Sequence, residues 1–132
     1  MIQKLHKKLV AKELSARELV ESFLARIEEK EGSLNAFITQ TPELAIAQAN
    51  AVDRRIANNE EIPLLAGIPC AIKDSILVEN IRCTAGSKIL ENYIAPYDAT
   101  VIKKLRNEGA VFVGKTNTDE FSMGGSTENS AF

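Results

Sequence analysis

The apolar residues of this chain change their spacing once, near Ile62, and that change divides what the sequence can fold into. Upstream, the period is helical. Ser15 with Glu18 three residues later reads as a capping box, and Ala16, Leu19, Val20, Phe23, Leu24 and Ile27 then recur at i, i+3, i+4 and i+7. This predicts a helix over about 16–30. A weaker helix precedes it, because Ile2, Leu5, Leu9 and Val10 line one face of the first eleven residues, with Lys4, Lys7 and Lys8 on the other. After Gly32, Asn35 to Thr39 reads as a short strand. Thr41-Pro42 then offers an N-cap and a first-turn proline for a third helix, about 42–58, with Ala45, Ala49, Val52 and Ile56 on its stripe.

Downstream of Ile62, Pro63, Gly67 and Pro69 punctuate short apolar stretches, and a turn leads into a buried strand near 70–73. Ile81 to Thr84 suggests another extended piece, followed by an irregular loop at Ala85 to Lys88. Asp98 is placed to cap a helix that turns Val101, Ile102 and Leu105 inward and stops at Gly109. Ala110 to Val113 then forms a compact buried strand. The order strand, helix, strand favours a parallel pair in an α/β sheet behind an N-terminal helical layer.

Composition narrows the function classes. A chain of 132 residues can bury a core, and 45% hydrophobic with 26% charged residues is globular rather than disordered. Sixteen Lys and Arg against eighteen Asp and Glu leave a net charge of −2, which builds no basic field for nucleic acid or an anionic membrane. The start of the chain lacks the apolar core of a signal peptide and no run approaches a membrane span, so the cytoplasm is the expected compartment, without membrane partners. Cys70 and Cys83 form no CxxC pair and the single histidine cannot complete a zinc set. Reduced, structural cysteines and no metal are therefore expected.

One lysine stands in an apolar, turn-bounded run. Lys73 ends the run Gly67-Ile68-Pro69-Cys70-Ala71-Ile72-Lys73-Asp74, where burial would penalise the ammonium and favour a neutral amine, able to serve as a general base toward a hydroxyl nucleophile. The alternative is a strand-end lysine that reaches solvent or pairs with Asp74; the residues alone leave both open. Lys115 sits in Gly109-Ala110-Val111-Phe112-Val113-Gly114-Lys115-Thr116, a letter-for-letter phosphate-loop pattern. That loop must follow a strand and open a helix, whereas here a helix precedes and the bulky intervening residues are themselves a strand. A helix end followed by a core strand is the favoured reading, with a nucleotide-binding module as the rival.

Other candidates are weaker. Ser126 follows two glycines, but Met123 to Glu128 lacks the second glycine of a nucleophile elbow, so a loop hydroxyl is expected. Asp119 and Glu120 fit the start of a helix after Asn117 or Thr118. His6, without an acidic or cysteine neighbour, reads as a surface residue.

Taken in order, Gly67 to Asp74, Cys83-Thr84-Ala85-Gly86-Ser87-Lys88-Ile89-Leu90, Asp98-Ala99-Thr100-Val101 and Gly114-Lys115-Thr116-Asn117-Thr118-Asp119-Glu120-Phe121-Ser122-Met123-Gly124 resemble the amidase signature family. The likeness spans essentially the whole chain, and the Leu14 to Leu19 segment and the ending Ser126 to Phe132 favour its branch serving tRNA-dependent amidotransferases. It implies an amidase-signature fold, an N-terminal helical layer followed by the first strands of a mixed sheet. Residues 1–132 would then be the N-terminal part of a single amidase domain. It also implies a serine, cis-serine, lysine triad whose lysine falls on Lys73, and a substrate pocket lined by Met123, Gly124, Gly125 and Ser126.

The implied reaction is hydrolysis of glutamine, with ammonia passed on to convert Glu-tRNA(Gln) or Asp-tRNA(Asn) to the amidated form. Other amidotransferase subunits are the implied partners. No cofactor is implied for this chain; ATP and magnesium, with most tRNA contact, belong to the partner. A stand-alone amidase acting on another amide is the enzyme alternative, and a partner-binding module the alternative without chemistry. Ser75 departs from the asparagine frequent after Lys-Asp in the family. The glycine- and serine-rich segment that carries both serines is expected beyond Phe132, so the 132 residues alone are expected to be inactive, with exposed apolar edges.

Overall fold

The computed structural model describes residues 1–132. Helices α1 (Ile2–Val10), α2 (Ala16–Leu34) and α3 (Pro42–Ala57) make the N-terminal layer, with strand β1 (Phe37–Gln40) between the last two. Strand β2 (Pro69–Lys73), helix α4 (Thr100–Asn107) and strand β3 (Val111–Thr116) follow. The sheet order is β1-β3-β2, with β2 parallel and β1 antiparallel to the central strand. The pair joined through α4 is thus parallel, as the pattern predicts, and β1 makes the sheet mixed.

β3 is buried from Val111 to Lys115 because it has a strand on each side and a helical layer on each face. Val111 and Val113 join Leu9, Val20, Ala49 and Ile68 beneath the N-terminal helices, whereas Phe112 packs with Ile72, Val78 and Ile102 on the α4 side. This alternation is the period-2 geometry of a strand. β2, by contrast, lies at an edge, and its pattern is half-exposed with only Ile72 buried. The predicted buried strand at 70–73 is corrected accordingly.

The capping box forms: Ser15 Oγ accepts the Glu18 N–H at 3.0 Å, and Glu18 Oε2 accepts the Ser15 N–H at 2.9 Å. Asp53 of α3 adds a second anion there, accepting the N–H groups of Ala16 and Arg17 at 2.7 and 3.0 Å. α2 runs past Gly32 and ends at Asn35, in the left-handed region with φ +48°. The strand expected from Asn35 accordingly begins at Phe37.

Thr41 is the N-cap of α3 and Pro42 opens the helix, as expected, but the Thr41 hydroxyl makes no capping bond and donates to the Phe112 carbonyl at 3.0 Å. Gln48 accepts the Phe112 N–H at 2.8 Å, so α3 serves β3 next to the register shift between Cys70 and Ala71. Asp98 does not cap α4, whose N-cap is Ala99. Its carboxylate accepts the Glu79 N–H at 2.7 Å and the Arg106 guanidinium at 2.6 Å, tying the loop before α4 to the last turn of that helix.

The extended piece at Ile81 to Thr84 reduces to one isolated bridge, Arg82 with Ile94. His6 is half-buried rather than on the open surface, and its Nε2 donates to the Ile62 carbonyl at 3.2 Å. No helix is long and apolar enough to cross a membrane. Apolar side chains do remain exposed, Ile89, Ile94 and Tyr97 among them.

Candidate active site

Three segments meet at the carboxyl ends of the parallel strands β2 and β3: Lys73-Asp74, the loop 82–88 and the loop 117–131. Their convergence follows from register. Lys73 is the ladder partner of Thr116, so Asp74 leaves β2 where Asn117 leaves β3. Crevices at such strand ends are where open α/β sheets place ligands.

Lys73 is exposed, and its ammonium makes no ion pair within the chain. The burial expected from the apolar run is therefore corrected: the edge position of β2 leaves the side chain uncovered. The buried lysine is Lys115, 2% exposed, whose Nζ lies 3.0 Å from Oδ1 of the fully buried Asp74. Asp74 therefore pairs with Lys115, not with its chain neighbour. The phosphate-loop reading fails on the same geometry, because residues 111–116 are strand and the Lys115 amine is enclosed by Asp74 and the Arg82 carbonyl at 3.3 Å.

Asp74 is fully bonded. Its Oδ2 accepts the N–H and hydroxyl of Thr84 at 2.7 and 2.5 Å, its carbonyl accepts the Ala85 N–H and the Cys83 thiol, and its own N–H donates to Thr116. Burial pushes the Cys83 thiol up from its ordinary pKa, the nearby Lys115 charge opposing. Burial pushes Cys70 up as well. Both cysteines are free, in line with reduced, structural thiols.

Loop 117–131 is organised by Asp119. The expected helix start there reduces to a single 3₁₀ turn, Glu120–Ser122, with Phe121 at φ +51°. The Asp119 carboxylate accepts the N–H groups of Asn129 and Thr127, each at 3.0 Å. Those two bonds, with the Ser126 N–H and the Lys73 charge, outweigh burial and hold the carboxyl below the ordinary aspartate range. The Asp119 carboxylate thus feels the Lys73 charge while it holds the backbone of Thr127 and Asn129.

Met123 is 75% exposed, Gly124, Gly125 and Ser126 are exposed too, and the Ser126 hydroxyl donates to Glu128 at 2.6 Å. Ser126 is a loop hydroxyl, as expected. Ser87 Oγ donates to Glu120 at 2.5 Å, and the Ala85 and Gly86 carbonyls accept the N–H groups of Phe121 and Ala131, so the two loops are bonded to each other. Ala85, Phe121, Ser122 and Thr127 all have positive φ. Such conformations persist only where the surroundings over-determine them.

The larger clefts lie elsewhere: one of about 420 Å³ is lined by Leu9, Ser15 and Asp53 among the N-terminal helices. Its Ser15, Glu18 and Asp53 side chains are committed to the N–H groups at the start of α2, so the chemistry points to the strand ends despite their openness.

The residues missed by sequence reasoning are Thr84 and Asp119 as anchors and Lys115 as the buried cation. A signal existed for Lys115, a lone cation in an apolar strand, the same criterion that singled out Lys73.

The amidase family profile matches residues 18–132. The chain belongs to the amidase family. It is 53% identical over all of its 132 residues to the A subunit of glutamyl-tRNA(Gln) amidotransferase from Thermosynechococcus vestitus, and 55% over 131 residues to the protein of the same name from Synechococcus elongatus. The chain spans 27% of the length of each of these relatives. Among solved structures, a chain from the vestigial complex described as revealing the origins of an s-triazine catabolic enzyme matches with a TM-score of 0.91 and 38% identity, over 96% of this chain and 28% of that one. The peptide amidase of Stenotrophomonas maltophilia matches with a TM-score of 0.85 and 32% identity, over 91% of this chain and 25% of its own. These neighbours agree with the amidase-signature architecture of helical layer and partial mixed sheet.

Proposed function

We propose that the full-length protein containing these residues is the glutamine-hydrolysing subunit of a tRNA-dependent amidotransferase. The observation that carries this reading is the 53% identity over the entire chain to the A subunit of glutamyl-tRNA(Gln) amidotransferase. Lys73 is the proton-relay base and Met123, Gly124, Gly125 and Ser126 border the amide substrate. A serine supplied by residues outside this chain attacks the amide carbon; its proton travels through a second hydroxyl to Lys73 and from there to the departing ammonia. Water then resolves the acyl-enzyme, returning glutamate and the free serine. Backbone N–H groups of a fixed loop suit the developing oxyanion.

The rest of the protein covers Lys73 and excludes bulk water from it. Ammonia passes to a partner subunit, which uses ATP and magnesium to activate the tRNA-borne carboxylate and makes most of the tRNA contact. The setting is the cytoplasm.

The test is Lys73→Ala in the full-length protein assembled with its partners. Glutamine hydrolysis falls by about 10²-fold or more, the scale of losing a general base, while the circular-dichroism spectrum and melting temperature stay put. Retained hydrolysis ends the assignment. A second reading, a stand-alone amidase acting on another amide, is favoured by the likeness to a peptide amidase. It predicts turnover of peptide amides without partner subunits.

A further inference from the structure

We infer that the buried Asp74–Lys115 pair is a positioning element for Lys73, a register lock that sets which way the Lys73 side chain leaves the sheet. This rests on the proposed role of Lys73 as the relay base and names what holds it in place.

Register in the β2–β3 ladder is not fixed by regular pairing alone. Cys70 pairs with Phe112, but Ala71 pairs with Gly114, so one residue of β3 is skipped just before the functional end of β2. A strand that has shifted once has a neighbouring alternative close at hand, and a slip by one residue turns every side chain beyond it to the opposite face. For β2 that would exchange the placements of Ile72, buried against Val78 and Ile102, and Lys73, exposed at the end of the strand. Hydrophobic patterning resists the slip weakly here, because Ile72 is the only buried residue of β2.

The pair supplies what patterning lacks. Asp74 sits immediately after Lys73, and Lys115 is the ladder partner of Ile72, immediately before it. A carboxylate fully buried with a lysine 2% exposed tolerates one partner position only, since a slipped strand would leave two uncompensated buried charges. Buried pairs add little net stability over apolar residues of similar volume; their best-attested use is specifying register. The remaining atoms of Asp74 lock the same point. Oδ2 holds Thr84, the carbonyl holds Ala85 and Cys83, and the N–H holds Thr116, so the residue after Lys73 is bonded to both β3 and the loop 82–86. Lys73, by contrast, makes no ion pair that would fix its side chain, so its direction is set by the backbone.

The experiment uses the full-length protein in its assembled complex, with glutamine as substrate, and compares four forms. Lys73→Ala reports on the underlying reading: if it hydrolyses glutamine normally, the role of Lys73 fails, independently of the pair. The charge-neutral double variant Asp74→Asn with Lys115→Met removes the lock without leaving a lone buried charge. Thr84→Val removes one donor to Asp74 at nearly constant volume. With the unaltered protein as reference, the inference predicts that kcat falls ~10–100-fold in the double variant, the cost of misplacing a reacting group by about 1 Å, and severalfold in Thr84→Val. KM for glutamine stays within about twofold in both, because substrate contacts are untouched. A purely structural pair would lower the melting temperature and leave kcat per folded enzyme unchanged, which overturns the inference. Where the double variant does not fold, Thr84→Val decides: unchanged kcat overturns the lock, and a lower kcat at constant KM supports it.

Discussion

The Asp119 carboxylate occupies the space that a side chain at Gly124 would need: a Cβ on Gly124 would overlap Asp119 Cγ. The anion that gathers the N–H groups of Thr127 and Asn129 can do so only because the chain passing over it at 124 has no side chain. Gly125 has open space around it. The two adjacent glycines therefore have different physical reasons, which sequence spacing could not separate.

Gly124→Ala should accordingly release the loop, and Gly125→Ala should not. In the full-length protein, hydrogen exchange at the Thr127 and Asn129 amides should rise at least tenfold in Gly124→Ala, the equivalent of losing a modest hydrogen bond of about 1.4 kcal/mol. Equal protection in both variants would mean that Asp119 does not hold the loop.

Asp119 also makes loop order depend on pH, with a definite sign. Its carboxyl is held below the ordinary range, first by the N–H groups of Asn129 and Thr127. A depressed acid stabilises the fold fully above its unfolded pKa of about 3.9 and loses that contribution as pH falls through the folded value. Protection of the two amides should be flat from neutral pH to about 4 and collapse below. Asp119→Asn should abolish the acid transition; a carboxyl that titrates above 4 by carbon-detected NMR contradicts the account.

Breaking the buried pair from one side should be far more costly than removing it whole. Lys115→Met leaves the Asp74 carboxylate, 0% exposed, without its cation, and should lower stability by about 3–5 kcal/mol in denaturant titrations. The neutral double variant should recover most of that loss. Because the Lys115 amine is enclosed, ATP with magnesium should leave the melting temperature of the chain unchanged. A nucleotide-dependent rise abolished by Lys115→Ala would restore the phosphate-loop reading.

How far the fold was legible follows from these particulars. α2 was readable because its signals are local: Ser15 and Glu18 cap it, and the apolar stripe repeats within a few turns. β3 was readable because four apolar residues between a glycine-stopped helix and Gly114 leave little alternative. The lysines could not be told apart, since Lys73 and Lys115 both punctuate apolar strands and only the strand order decides which is enclosed. Asp98 was misplaced as a cap for a related reason, because the groups it bonds, Arg106 and the Glu79 N–H, are set by packing; Thr41 is the N-cap it was read as, but packing sends its hydroxyl to Phe112. Asp119 was hidden most completely. Its partners lie eight and ten residues downstream in a loop without periodicity.

Cys83 offers a probe of the strand-end network without an assay of activity. Its thiol is pushed up by burial and donates to the Asp74 carbonyl at 2.9 Å, within the structure that fixes Asp74. A thiolate is the reactive form, so Cys83 should react with a thiol reagent at pH 7 only through opening of the loop 82–86, more slowly than the half-buried Cys70. Thr84→Val removes a bond from the other side of Asp74 and should speed Cys83 labelling about tenfold, as expected for a net loss near 1.4 kcal/mol in the closed state, while leaving Cys70 unaffected. Mass spectrometry of quenched time points on the Cys70→Ala and Cys83→Ala single-thiol proteins separates the two rates. Parallel acceleration of both thiols would mean that Thr84 supports the whole sheet and not the closure of this loop.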